Sequence, residues 1–303
     1  LNLQINLNNM QHPIIKKTTK LERIFLLIAL IIIGLILGTV IGLAYVFITK
    51  SDSNDLNALR FMQISSQLFT FVFPPIAYAF LVKDEPVNAL GLKKSKILWV
   101  FIGVAMIFAI MPFNSIIAEW NANLTLPDSM SKIEQLMKQM QEAATEMIEK
   151  FVNVDTIGGL ILNLFMIAGL AALGEELLFR SIIQTSLIKI CKNVHIGILI
   201  ASAIFSFIHL EFYGFVPRLI LGMLLGYMFY FSGSIWIPML MHFLNNGTVV
   251  LIYFLNNKGI TNIDVDTFGQ TSIPVLIVSI VVMIALFLFS IKYSDKERTI
   301  TSN

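Results

Sequence analysis

Charge is what this chain has least of. Only 13% of its 303 residues are Asp, Glu, Lys or Arg, where an ordinary soluble domain carries about 25%. A water-soluble globule of this size is excluded. Cysteine occurs once, at Cys191, which leaves neither an intramolecular disulfide framework nor a thiolate metal motif. The net charge of +2 is too small and too dispersed to argue for a nucleic-acid partner. The zinc-protease pattern HExxH does not occur. Histidine is present in only four copies, so the position of each one is informative.

What the chain has is oil: 56% of its residues are hydrophobic. Apolar runs near 20 residues recur, the length a helix needs to cross ~30 Å of hydrocarbon. The pattern predicts an all-α, polytopic membrane bundle of eight spans, at about 24–48, 64–82, 97–118, 157–190, 196–213, 216–232, 235–256 and 273–291. We expect one bundle over 24–292, with tails at 1–23 and 293–303, the second short and mobile. The first run is too long for a signal-peptide core and reads as a retained span. Gly34, Gly38 and Gly42 fall four apart in it, a face that admits another helix closely. Pro74 and Pro75 should kink or locally unwind the second span. The fourth span, unusually long, is expected to tilt or break near Gly174. The distribution of Lys and Arg predicts both termini on the cytoplasmic side. The abundance of Ile, Lys and Asn suggests an AT-rich bacterial genome, hence a bacterial cytoplasmic membrane.

One loop, about 119–156, is long. Ile133, Leu136, Met137, Met140, Ala144, Met147, Ile148 and Phe151 recur at helical spacing there. They predict an amphipathic helix over about 130–152 on the outer surface of the bundle or the bilayer, opened by a capping box of Ser131 and Glu134.

Ionisable side chains inside spans are expensive, about 2.5–3.5 kcal/mol each at the helix centre on insertion scales. Those present are therefore expected to face inward and to have a task. The fourth span holds Glu175, Glu176 and Arg180, the fifth His209, and the seventh His242 with Asn245 and Asn246. Glu176 and Arg180 are spaced i,i+4 on one helical face, as are His242 and Asn246. His12 lies in the N-terminal tail and His195 in a predicted loop.

A carboxylate, two imidazoles and a carboxamide around one water-filled pocket suit amide hydrolysis. A carboxylate can take a proton from water, a histidine can orient that water, and a His–Asn pair can donate to an oxyanion. Glu175, His209 and His242 would alternatively supply three ligands to Zn²⁺, with a fourth position open for water. Buried Glu and His also serve proton- or ion-coupled transport. Transporters, however, often carry internal repeats, and none is visible here. A non-catalytic membrane protein of the bacteriocin-immunity type is a third reading.

The residues also resemble the CPBP family (Abi, or CAAX protease and bacteriocin-processing), to which the type II CAAX prenyl endopeptidases belong. Its pattern of EExxxR, FxxxH and HxxxN on three separate membrane helices reads here as Glu175-Glu176…Arg180, Phe205…His209 and His242…Asn246. The resemblance covers about 157–256, the expected catalytic core. It implies an eight-helix bundle with its site inside the membrane. It also implies that Glu175 is the general base, assisted by His209, with His242 and Asn246 stabilising the oxyanion and Glu176 and Arg180 supporting them. The expected partners are the lipid bilayer and a peptide or membrane-anchored protein substrate. No cofactor is expected to be required, Zn²⁺ being the alternative.

Overall fold

The computed structural model describes residues 14–15, 18–52, 54–265 and 267–301, with 295–301 described by their backbone alone. Among them no strand occurs, and the chain is a polytopic bundle of membrane helices. Helix α1 (Lys20–Thr49), α2 (Leu56–Val82), α3 (Ile97–Ala122), α4 (Ser131–Val152), α5 (Ile157–Cys191), α6 (Val194–Phe207), α7 (Phe215–Ser232), α8 (Trp236–Asn257) and α9 (Ile273–Thr301) follow one another. Seven of these segments are long and apolar enough to cross a membrane; α4 is amphipathic and α6 is short.

Several boundaries differ from the sequence expectation, each for a local reason. Helix α1 begins at Lys20, where the Thr19 hydroxyl and the Glu22 carboxylate form a reciprocal cap, so the expected tail over 1–23 loses its last four residues to the helix. His12, Lys16 and Lys17 lie outside the described residues. Helix α2 starts eight residues early, because the Asp55 carboxylate accepts the amides of Asn57 and Ala58. The first two turns of α2 are too polar to read as membrane-spanning. Ser131 and Glu134 do not form the expected capping box. A 3₁₀ turn at Asp128–Met130 already precedes Ser131, and Glu134 pairs instead with Lys138 at 2.8 Å. At the other end, α9 carries the helix through 293–301 where a mobile tail was expected.

The largest correction concerns the fifth span. Helix α6 ends at Phe207 rather than near 213, because Leu210 adopts a left-handed backbone with φ of 56°. His209 therefore sits in a turn just past the helix end, outside the span. Fourteen residues rise only ~21 Å, against ~30 Å of hydrocarbon. Non-helical backbone at membrane depth is tolerated where it is buried in protein or lines a wet cavity, and this turn is pinned accordingly. The buried Asn121 side chain donates to Phe212 O at 3.1 Å and accepts from Val216 N at 2.8 Å. Ser206 Oγ donates to Phe215 O at 2.6 Å.

Three stretches widen from α to π geometry: Leu68–Val72 within α2, and Leu164–Leu170 and Leu177–Gln184 within α5. The first lies directly before Pro74 and Pro75 and is the local unwinding those prolines predict. Helix α5 runs on through Gly174. That glycine is needed for close approach: a Cβ there would stand 2.8 Å from Phe71 Cβ and 3.1 Å from Val72 Cγ2 on α2.

Two buried apolar clusters flank the centre. One joins Trp99, Met106 and Ile107 of α3 with Leu225 and Met228 of α7 and Ile237 and Met241 of α8. The other joins Leu30 of α1 and Tyr78 and Ala79 of α2 with Leu177 and Ile182 of α5 and Met239 of α8. Helix α8 contributes to both clusters and α5 to the second. The glycine stripe of α1 packs as expected. A Cβ on Gly34 would fall 1.9 Å from Phe69 O, while one on Gly158 would meet nothing within 4 Å. Overpacking of this kind costs about 1–3 kcal/mol. Gly34→Ala is expected to lower the thermal unfolding midpoint of detergent-purified protein by several degrees. Gly158→Ala should leave it within a degree or so; equal midpoints for the two variants would refute the contact.

Candidate active site

Glu175 and Glu176 stand on a short α-helical stretch, Ala171–Glu176, between the two wide segments of α5. Both are buried, Glu176 completely. Glu176 is the hub. Its Oε2 accepts from Arg180 Nε at 2.8 Å, and its Oε1 accepts from His242 Nδ1 at 3.0 Å. Arg180 is also fully buried. Its i,i+4 spacing places the guanidinium on the carboxylate from within the same helix, as the sequence predicts.

An ionised carboxylate only accepts hydrogen bonds, so His242 Nδ1 carries a proton and Nε2 points the other way. There it faces Glu175, with 3.9 Å between Nε2 and Oε2. That gap is too long for a hydrogen bond and suited to one bridging water. Glu175, Glu176, Arg180 and His242 thus form one continuous polar network across α5 and α8.

His209 reaches this network through an aromatic ring. Its Nδ1 donates to Phe205 O at 2.8 Å, which leaves Nε2 as an acceptor in the neutral ring. Burial, aided by the Arg218 guanidinium, pushes its pKa down to about 4, so the ring is neutral at ordinary pH. Phe205 meets His209 edge-to-face at 5.0 Å and His242 at 6.2 Å, while the Arg180 guanidinium lies over its face at 4.9 Å. Phe205 is therefore the hinge between the two imidazoles. The sequence marks it only as the first letter of FxxxH.

Asn246 is near but occupied. Its Nδ2 donates to Ile167 O at 3.2 Å, in the wide Leu164–Leu170 segment, and its Oδ1 accepts from Asn245 at 3.1 Å. One Nδ2 hydrogen remains. No bond joins Asn246 to His242, although they share a face. Among the described residues no three His, Cys, Asp or Glu side chains converge as a metal-binding set, and Glu175, His209 and His242 do not fit that role as placed. Sequence reading passed over Arg218, whose Nη2 donates to Glu211 Oε2 at 2.6 Å. An arginine inside the apolar run "FVPRLILG" was the available signal.

Residues 157–248 match the family model Type II CAAX prenyl endopeptidase Rce1-like. This segment is similar to that family. It contains every residue of the network described above, on α5, α6 and α8. The uncharacterized protein YpbD of Bacillus subtilis (strain 168) is similar, at 34% identity over 79 residues. That stretch is 25% of this chain and 37% of YpbD, so this chain spans well under half of that relative. No solved structure matches the chain.

Removing one partner of a buried ion pair leaves the other uncompensated, at about 3–5 kcal/mol. Arg180→Met is therefore expected to lose most of its folded, monodisperse protein in size-exclusion chromatography. Pairing it with Glu176→Gln, which removes the orphaned charge, should recover a substantial part. A double variant no better than the single would show that the pair is not the source of the loss.

Proposed function

We propose that the protein is an intramembrane endopeptidase that hydrolyses a peptide bond in a membrane-associated protein or peptide. The observation that carries this reading is the 3.9 Å gap between Glu175 Oε2 and His242 Nε2, in a buried site whose other charges are already matched. Arg180 compensates Glu176. Glu176 in turn orients His242. Glu175 is left without a direct hydrogen bond, and its Oε2 and His242 Nε2 can share one water as partner.

In this reading Glu175 takes a proton from the bridging water as its oxygen attacks the substrate carbonyl carbon. Neutral His209, through Nε2, accepts a hydrogen bond from the same water and aims it. The carbonyl oxygen becomes an oxyanion, met by Nε2–H of protonated His242 and by the remaining N–H of Asn246. Glu175 then passes its proton to the amide nitrogen, the C–N bond breaks, and the products are a carboxylic acid and an amine. The Rce1-like match supports the reaction class; the roles of individual residues are our assignment. The scheme uses no metal. Transporters often carry internal repeats with matched broken helices, and the sequence shows none, which favours hydrolysis over transport.

The test is peptide cleavage by the protein reconstituted in nanodiscs. Glu175→Gln should lose about 10²–10⁴-fold in kcat/KM, the range of general acid–base catalysis, with folding retained. Asn246→Ala should lose about 10²–10³-fold, the effect of one oxyanion donor. Full cleavage by Glu175→Gln would overturn the assignment. Exhaustive treatment with a metal chelator should leave wild-type cleavage unchanged; its abolition, restored by Zn²⁺, would replace the metal-free scheme.

A further inference from the structure

Helix α2 carries polar groups that its apolar surroundings do not explain. Arg60, Gln67 and Phe71 recur at i, i+7 and i+11, hence on one face. At Phe71 that face lies against Gly174, the residue before Glu175. The two helices run in the same direction: residues 56–67 of α2 pack on 164–170 of α5, 68–72 on 171–176, and 73–82 on 177–184. Carried along the helices, the offset that pairs Phe71 with Gly174 brings Arg60 level with Asn163.

Along this seam the buried polar atoms are unpartnered. They are Arg60 Nε and Nη2, Gln67 Oε1, Thr70 Oγ1 and Asn163 Oδ1. A buried unpaired polar group costs on the order of 1–3 kcal/mol from protein mutational data, and hydrocarbon offers no water to relieve it. Two nitrogens of the Arg60 guanidinium are turned into the protein, which is the opposite of an arginine snorkelling to lipid phosphates. The seam leads from the α4 end of the bundle to the residue beside the carboxylates.

We propose that this seam is the substrate cleft, and that Arg60 is a specificity residue that binds an acidic side chain of the substrate. The inference rests on the protease reading. Gln67, Thr70 and Asn163 offer hydrogen-bonding partners to the backbone N–H and C=O groups of an extended polypeptide, which must be satisfied wherever they are buried. Among the described residues no carboxylate pairs with Arg60 Nε or Nη2, and a guanidinium matches one carboxylate in a two-pronged bond. The distance sets the register. Eleven residues of helix between Arg60 and Phe71 rise ~16 Å, and an extended chain covers ~3.4 Å per residue. The recognised Asp or Glu therefore lies about five residues from the cleaved bond.

The experiment uses the full chain in nanodiscs and a positional-scanning library of quenched-fluorescent peptides, with glutamate fixed at each position in turn. Wild-type protein should cleave best when the acid lies about five residues from the cut. Arg60→Glu should erase that preference, lower kcat/KM for the preferred peptides by about tenfold or more, the size of one charged hydrogen bond, and favour lysine at the same position. Arg60→Lys should keep a weakened preference for the acid. A positional profile in Arg60→Glu that matches wild type would overturn the cleft, as would an equal loss on every peptide. Failure of wild-type protein to cleave any library member would instead take down the protease reading, and the cleft with it.

Discussion

The ion pair between Glu176 and Arg180 is the constraint on which the centre of this bundle depends. Neither side chain has any contact with solvent, and neither would be tolerable alone in hydrocarbon. Paired on one helix, they become a fixed dipole that the rest of the site can use. Glu176 retains Oε1 to grip His242 from the neighbouring helix, at 3.0 Å, so the pair fixes both the tautomer and the orientation of that imidazole. Arg180 spends its remaining face on the ring of Phe205, which places the third helix. One charge pair thus sets the mutual position of α5, α6 and α8.

The second constraint is a helix that stops short. An α6 of full length would have buried His209 within a regular span and closed the space beside it. The left-handed turn at Leu210 ends α6 after fourteen residues, and Asn121 and Ser206 satisfy backbone groups of the segment that follows. The imidazole is thereby presented from a turn rather than from a helical wall, with Nε2 unengaged by the Phe205 bond. The irregular backbone is satisfied by the buried Asn121 and Ser206 side chains.

The sequence made some of this legible and hid the rest, for physical reasons. Membrane helices announce themselves by hydrophobic length, so the bundle and most spans could be read directly. Charges in oil are conspicuous, so Glu175, Glu176, Arg180 and His242 stood out, and the structure brings those four into one network. His209 was visible as a residue but not as a turn residue, because nothing in "FSFIHLEF" breaks the apolar run before Glu211. Arg60 and Gln67 were invisible as interior groups. Arg60 sits in the two polar turns that lower the local hydropathy and make α2 appear to begin eight residues late, while Gln67 falls inside the expected span 64–82 with nothing in the sequence to say which way it faces. The widened segments of α5 carry no composition signal at all. They depend on what packs against them.

Those widened segments bear on how the site is assembled. Glu175 and Glu176 occupy a single α-helical stretch with a wide turn on each side. A wide turn adds a residue to the hydrogen-bonded loop and shifts the face that the following side chains present. On one side this brings Ile167 O within reach of Asn246; on the other it carries Arg180 back under Glu176. In α2 the matching wide turn, Leu68–Val72, lies opposite Gly174. Non-α geometry is thus concentrated at the level of the two carboxylates, on both helices that meet there. The unpartnered groups of Arg60, Gln67 and Asn163 lie on the N-terminal side of this level, on the same two helices.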